Sequence, residues 1–493
     1  MLVEFAILAA SLFIFYHLFL EFRGSNLPPG PRPLPLIGNL NLLSKQMHLS
    51  FTELEKTYGK VYRLYLGHKL AIVLSGDAIK EALVRQPRNF AGRPVLNPQL
   101  KSALNRGPGL TVMDYGETWK LFRKLGHSTI KVYGENRLQD VIKDEVLELC
   151  NRLESSAGKP FDITQQFGIA VTNVICTKLF GTRYQIDDPE FLRVYEIHDK
   201  LSRIGFGGNL VTNIFPSLAS ILPFSEKQRD LIQIGQERYE ILERKYQEHV
   251  KTFDPENIRD YTDALLKAKQ DAEQEDKSSK EHLQESTIIM AGLATLFIAG
   301  SETTSTTLGW AVIYLLHNPD VQERLHKEID DVIGRDAFPQ LSKRKELPVL
   351  EAFTAETLRL ANLAPLAIPH KARERSTLQG FEIPEGTTVF ANLWSLHHDP
   401  TVWKDPFTFN LDRFLDEEGK FKAPVGGTFL PFGAGPRVCL GEVLARSELF
   451  LFLSRMLQRF EFVNPPGCEL PSMEGDLGVV LHPMPYTVCV RSR

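Results

Sequence analysis

The sequence predicts a mainly α protein with smaller β-sheets, and three stretches carry that prediction. From about Lys120 to Ile329 the apolar residues recur mainly at helical spacing. Ser286–His317 reads as one long helix, apolar on nearly all sides and stopped by Asn318-Pro319, as a buried helix would be. Val61–Ser75 contains two short β-like runs separated by Gly67-His68, which predicts a hairpin. The 493 residues are 43% hydrophobic and 24% charged, ordinary values for a protein with a large core. A net charge of -4 gives no support for nucleic-acid binding. The five cysteines are scattered without Cys-x-x-Cys spacing, which argues against a disulfide framework and against zinc, and fits a reducing compartment.

Taken in chain order, Phe5–Leu20 is apolar except for Ser11 and His17 and just reaches the length of about 17–25 residues that a bilayer requires. Glu4 precedes it while Arg23 and Arg32 follow, so the positive-inside rule places the rest of the chain in the cytosol. A cleaved signal peptide is the competing interpretation, but neither a basic n-region nor a small-residue cleavage site is evident. Residues 1–22 are therefore expected to be a membrane anchor and 23–38 a proline-rich hinge. Within the hinge, Leu27-Pro28-Pro29-Gly30-Pro31-Arg32-Pro33-Leu34-Pro35 forms a stiff extended spacer. Asp271–Glu285 is charged, lacks apolar periodicity and is expected to be a solvated loop.

The long helix is interrupted by Ala299-Gly300-Ser301-Glu302-Thr303-Thr304. A membrane span would not tolerate that polar insertion cheaply, whereas a core helix passing over a polar active site would use it. Gly300 makes room for a small ligand, and Glu302 and Thr303 supply a carboxylate and a hydroxyl for moving protons. The alternative is a packing glycine followed by Ser/Thr residues bonded back to their own helix. Glu356 and Arg359 lie three apart on a helix predicted over Leu350–Leu360, hence on one face.

Phe432-Gly433-Ala434-Gly435-Pro436-Arg437-Val438-Cys439-Leu440-Gly441 then places a cysteine in a glycine-rich turn at the entrance to an apolar helical run. Free N–H groups and the positive helix end favour a thiolate there, which makes Cys439 the candidate metal ligand. The glycines let the backbone turn tightly and approach a flat ligand, and Arg437 offers a fixed charge to a carboxylate. A dinucleotide-binding fingerprint fails, because Val438 stands where its third glycine should be.

This loop resembles the cysteine-ligand loop of the cytochrome P450 superfamily, and the resemblance covers essentially the whole chain. It implies a cytochrome P450 fold, a single large haem-enclosing domain over residues 39–493, and monooxygenation with haem b as cofactor. Cys439 would be the axial ligand, its thiolate pushing electron density onto the iron. Trp119 and Arg123, spaced as Trp-x-x-x-Arg, would contact a haem propionate with Arg93, His370 and Arg437. Glu356 and Arg359 would complete a buried network with Arg413 in Phe409-Asn410-Leu411-Asp412-Arg413-Phe414, where Leu411 replaces a common proline and leaves the local backbone open. Ala299 and Gly300 would border substrate, and Thr303 and Glu302 would serve proton delivery.

Runs such as Phe90-Ala91-Gly92-Arg93-Pro94 and Leu444-Ala445-Arg446-Ser447-Glu448-Leu449-Phe450 resemble the steroid 17α-hydroxylase branch. Cys439-Leu440-Gly441-Glu442 is also similar to steroid 21-hydroxylases, and broad xenobiotic or lipid monooxygenases share the scaffold. The resemblance implies progesterone or pregnenolone as substrate type. A family asparagine that bonds the steroid's polar end falls at His198. Electrons would come from NADPH–cytochrome P450 reductase at the endoplasmic reticulum membrane, docking on Lys120, Arg123, Lys124 and Lys343-Arg344-Lys345. Ala355 stands where an arginine linked to a cytochrome b-type partner and carbon–carbon cleavage occurs, which favours hydroxylation over lyase activity. A haem-thiolate isomerase and a non-catalytic haem sensor are the alternatives from other classes.

Overall fold

A computed structural model describes residues 11, 13, 26–94, 107–132, 134–204, 226–275, 278–424 and 426–493. The expected anchor Phe5–Leu20 lies outside the described residues except for Ser11 and Phe13, both helical. The chain forms two units, one from residues 1–94 with 366–395 and the other from 95–365 with 396–493.

In the first unit, strands β1 (Val61–Leu66) and β2 (Lys69–Leu74) make the predicted hairpin, with Val61 opposite Leu74 and Leu66 opposite Lys69. Gly67 adopts φ 65° in its two-residue turn, where a side chain would be strained. Strand β3 (His370–Lys371) and a small hairpin of β4 (Ser376–Leu378) and β5 (Phe381–Ile383) precede β6 (Thr388–Ala391). β6 runs parallel to β2 and antiparallel to β3, giving a sheet ordered β1-β2-β6-β3. Phe51 of helix α1 (Met47–Tyr58) joins Tyr62, Leu64, Val73 and Phe390 in a buried apolar cluster.

The proline-rich hinge does not stand free of this unit. Arg63 N–H donates to Pro29 O at 2.8 Å, the Arg63 guanidinium donates to Pro28 O at 3.0 Å, and Asn39 Oδ1 accepts the Tyr65 N–H at 2.8 Å. Prolines lack an N–H, so their carbonyls are what the otherwise unpaired edge of β1 can bind. A Cβ at Gly30 would collide with Arg63 O, so glycine is required at this crossing.

The second unit is helical: α2 (Glu117–Val132), α3 (Gly134–Ser155), α4 (Ile163–Phe180), α5 (Pro189–Ile204), α6 (Glu226–Thr252), α7 (Tyr261–Gln274), α8 (Glu285–His317), α9 (Pro319–Val332), α10 (Pro348–Ala361) and α11 (Glu442–Arg459). Two antiparallel pairs complete it, β7 (Phe460–Val463) with β10 (Cys489–Ser492), and β8 (Gly475–Leu477) with β9 (Leu481–Pro483). Helix α7 runs into the segment expected to be a loop from Asp271. Ala272 falls two turns after Leu265 on the same face, and both are buried. Asp260 caps the start of α7 by accepting the Asp263 N–H.

Among the described residues, α8 alone is long and apolar enough to cross a membrane, and most of it is buried inside this unit. Its first part is a π-helical stretch, Ile288–Ala294. Thr295 Oγ1 donates to Met290 O at 3.0 Å and accepts the Leu110 N–H at 2.8 Å, satisfying groups that the wider turn frees. Further along, Gly300 faces α4 so closely that a Cβ would lie 2.5 Å from Ile175 Cδ1. The space expected for a ligand at Gly300 is thus filled by a neighbouring side chain. The obstructing atom is the end of a flexible side chain, so Gly300→Ala should cost about 1 kcal/mol and Gly300→Val about 2–3 kcal/mol in denaturant unfolding. Ile175→Val should return part of that loss in the double variant.

Candidate functional site

Cys439 lies where a glycine-rich loop meets α11. Gly433 and Gly435 adopt φ of 73° and 70°, reversing the chain, and the Cys439 N–H closes the loop on Phe432 O at 2.9 Å. Gly441 is the N-cap of α11, and its N–H bonds the cysteine sulfur. Cys439 has exposed surface, yet protein crowds its sulfur on most sides, as at the floor of a recess. The exposure governs access, and the crowding governs desolvation. Burial pushes the thiol above its ordinary pKa, while the Gly441 N–H and Arg123 offset this only in part. The helix terminus by itself therefore does not hold the expected thiolate; a cation bonded to the sulfur would.

Helix α2 brings Trp119 and Arg123 to this loop. The Arg437 guanidinium sits 4.2 Å over the Trp119 ring and that of Arg123 lies 6.0 Å from it. Arg437 donates to Met113 O at 2.8 Å, and Arg123 donates to Val438 O. Burial pulls the Arg437 pKa down to about 10, which leaves it charged at neutral pH. A Cβ at Gly126 would lie 2.6 Å from Leu440 Cδ2, so glycine is what lets α2 lie against the residue after Cys439. In the first unit, Gly92 bridges Lys371 and thereby sets Arg93 and His370 side by side. Arg93 donates to Ile368 O at 2.6 Å and Pro369 O at 2.9 Å, and His370 Nδ1 donates to Phe90 O at 2.7 Å.

Behind the cysteine loop, Arg359 forms a fork with Glu356 at 2.6 and 2.8 Å, and both side chains are fully buried. Arg413 Nε reaches Glu356 Oε1 at 3.3 Å, and the Asn410 N–H reaches the same oxygen at 2.9 Å. Leu411 occupies the first position of a 3-10 turn, Leu411–Phe414, capped by Asn410; the turn forms without the common proline. The remaining Arg359 donor binds His397 O and Pro406 O, each at 2.8 Å. The His397 ring accepts the Leu430 N–H at 2.9 Å, two residues before the cysteine loop begins. Burial, His398 and Arg359 hold His397 well below the usual histidine pKa, which keeps it neutral and able to accept.

On α8, Thr303 Oγ1 donates to Ala299 O at 2.9 Å, leaving its oxygen lone pairs to accept from another molecule. Thr307 and Ser305 bond back to the helix in the same way. Glu302 is buried and points elsewhere: Oε1 accepts from Thr306 Oγ1 at 3.3 Å and faces His482 Nδ1 at 3.3 Å. Thr304 donates to Glu448 Oε2 at 2.8 Å.

The cytochrome P450 family model matches residues 28–490. The chain is 39% identical over 472 residues to a steroid 17-alpha-hydroxylase/17,20 lyase of Ictalurus punctatus, covering 94% of this chain and 91% of that protein. It is 40% identical over 469 residues to the protein of the same name from Rana dybowskii, covering 93% and 89%. It is 36% identical over 494 residues to cytochrome P450 2U1 of Rattus norvegicus, covering 96% and 92%. The chain belongs to the cytochrome P450 family. It is thus a member of a catalytic monooxygenase family with a mainly helical fold, and that family implies a haem b with a thiolate ligand.

The cytochrome P450 loop fits such a group. Cβ atoms at Gly433 or Gly441 would meet nothing within 4 Å, so open space flanks the cysteine, and a buried carboxylate would find Arg437, Arg123 and the Trp119 indole close together. A second metal-like cluster, His249, Asp260 and Asp263, is already engaged internally: His249 Nε2 pairs with Asp260 at 2.8 Å and Arg259 forks onto Asp263.

His198 lies on α5, with its side chain outside the described part. Of the expected docking cations, Arg123 is half-buried with its guanidinium bonded to Val438 O. Lys120 pairs with Glu117, Lys343 with Glu346, and Arg344 with Glu351, while Lys124 and Lys345 are exposed. Ala355 is buried inside α10.

The sequence reasoning missed His397, Gly126, Arg238 and Glu448. Glu448 is a charge at the head of the apolar run Leu449-Phe450-Leu451-Phe452-Leu453, a signal that periodicity could have flagged, whereas Arg238 is one of many charges on its helix and nothing local sets it apart. Burial raises the Glu448 carboxyl to about 8, with Thr304 and Lys178 opposing. Its folded pKa exceeds its unfolded value, so between about pH 4.5 and 8 the unfolded state ionises first and stability falls as pH rises. Glu448→Gln should therefore leave stability near wild type at pH 5 and raise it by about 1–3 kcal/mol at pH 8, measured by urea unfolding at the two pH values.

Proposed function

We propose that this cytochrome P450 hydroxylates steroid-like substrates, with Cys439 as the axial haem ligand and Arg238 recognising the polar end of the substrate. A haem b ligated by Cys439 supplies dioxygen activation and the insertion of one oxygen atom into a C–H bond. Trp119, Arg123 and Arg437 would hold its carboxylates, and the resemblance gives Arg93 and His370 the same task. Thr303, with its own proton committed to Ala299 O, would accept a hydrogen bond from an ordered water, and Glu302 would supply protons along the same helix.

The observation that carries the substrate assignment is Arg238 on α6. Its Nε is buried without a hydrogen-bond partner, in a recess otherwise lined mainly by apolar side chains such as Val194, Ile197, Leu242 and Phe297. Burial pulls its pKa down to about 10, so the guanidinium keeps its charge. A guanidinium with an unfilled donor, in a wall otherwise apolar except for Tyr184 and Lys245, which are both engaged with Glu190, suits a rigid hydrocarbon with one terminal ketone or hydroxyl. The recess measures about 20 Å³, so it marks the end of a site and not its body. His198, the position matching the family asparagine, lies on the helix that contributes Val194 and Ile197. The relatives named for 17-alpha-hydroxylase/17,20 lyase activity support a steroid, and the resemblance, through the alanine at 355 in place of the family arginine, favours hydroxylation over side-chain cleavage, although Ala355 itself is buried and not on a docking face.

Microsomal members of the family take electrons from NADPH–cytochrome P450 reductase. Phe5–Leu20 would anchor this chain in the endoplasmic reticulum membrane with residues 39–493 in the cytosol, and Lys124 and Lys345 would contribute to reductase docking.

Full-length protein titrated with progesterone and pregnenolone should show a haem spectral shift and, with reductase and NADPH, yield hydroxylated products. Arg238→Leu should weaken steroid binding about tenfold or more, as loss of a hydrogen bond to a charged group predicts. Absence of binding and turnover with both steroids, or unchanged affinity in Arg238→Leu, would overturn the assignment.

A further inference from the structure

Glu302 does not point into bulk solvent, so its protons need a route. A polar cavity of about 70 Å³ adjoins it, bounded by Asp162 and Thr164 at the start of α4, Tyr195 and Asp199 of α5, and His482 of β9. That volume holds several waters, given about 15 Å³ of probe-occupied space for each. The titratable groups are graded in depth: Asp162 is exposed, Asp199 and Tyr195 are half-buried, and His482 and Glu302 are buried. Asp476, opposite His482 in the β8–β9 pairing, is exposed and adds a further carboxylate on that side.

The strand that carries His482 is fixed to the helix that carries Glu302. Trp310 Nε1 donates to Leu481 O at 2.9 Å, Tyr486 Oη donates to Gly309 O at 2.8 Å, and the Leu481 N–H donates to Leu363 O at 2.8 Å. The 3.3 Å separation of His482 Nδ1 from Glu302 Oε1 is therefore held from both sides of the histidine.

We propose that His482 is a positioning and proton-relay residue that passes solvent protons from this cavity to Glu302. The inference rests on the role of Glu302 in proton delivery stated above. In each transfer, the imidazolium Nδ1–H gives its proton to the Glu302 carboxylate while Nε2 keeps its own, and once Glu302 has passed that proton on, the vacated Nδ1 regains one from cavity water. The acidic side chains at the outer end raise the local proton concentration, and an imidazole can both take up and give a proton.

The test uses full-length protein with reductase, comparing wild type, His482→Asn and Glu302→Gln. Asparagine keeps a side-chain N–H to bond Glu302 but cannot carry a proton, so a purely structural role would survive the change. The relay predicts that His482→Asn binds substrate normally, loses about tenfold in product formed per NADPH, and shows a larger solvent deuterium isotope effect. If Glu302→Gln changes coupling and His482→Asn does not, the relay is overturned while the role of Glu302 stands. If neither changes coupling, both fall. A readout independent of turnover is infrared titration of the substrate-free protein, in which the Glu302 carboxyl band is identified by its loss in Glu302→Gln. That band should shift at the pH where the His482 ring modes titrate, and a band indifferent to imidazole titration would overturn the relay even if His482→Asn failed to fold.

Discussion

One buried carboxylate organises the region behind the cysteine loop. Glu356 is fully buried and accepts from Arg359, Arg413 and the Asn410 N–H, so its charge is met on several sides. An arginine without water must be paired, because it cannot shed its proton, and breaking such a pair costs about 3–5 kcal/mol. Arg359 then carries the constraint outward to the His397 carbonyl, and the His397 ring carries it to the Leu430 N–H at the entry to the loop. The position of Cys439 thus depends on a charge pair whose members lie some eighty residues earlier in the chain. A pair of this kind adds little net stability over a hydrophobic replacement; what it contributes is a single geometry.

Close approach is the second constraint. Gly126 lets α2 reach Leu440, Gly300 lets α8 reach Ile175, and Gly92 lets the chain beside Arg93 pair with Lys371. At each point glycine removes a side chain where protein must come near protein. Gly433 and Gly441, which flank the cysteine, are among the glycines that border open space instead. The same residue type therefore marks packing at those crossings and open space in the cysteine loop.

Much of this was legible from residue spacing. The β1–β2 hairpin follows from short apolar runs around Gly67-His68, and α8 from a long stretch apolar on nearly all sides, interrupted only at the polar segment from Gly300 and ended by Asn318-Pro319. The Glu356–Arg359 fork follows from i,i+3 geometry, since both side chains leave α10 on one face. What could not be read were consequences of long-range packing. Nothing local to Gly300 reveals Ile175 in the space beside it, and nothing near His397 shows that Leu430 folds against its ring. The hinge was read as a spacer because proline composition describes stiffness and says nothing about which carbonyls a neighbouring strand will bind. The Cys439 thiol was expected to be lowered by the helix terminus, but its burial, visible only in three dimensions, outweighs the single N–H and the nearby arginine.

The central claim is that this buried framework presents Cys439 as the ligand of a haem. The most direct measurement is the absorption spectrum of the reduced, carbon-monoxide-bound protein, recorded for wild type and Cys439→His. Thiolate ligation predicts a strongly red-shifted Soret band for wild type and its replacement by an imidazole-type band in the variant. A wild-type protein without the red-shifted band, or a variant that keeps it, would contradict the account.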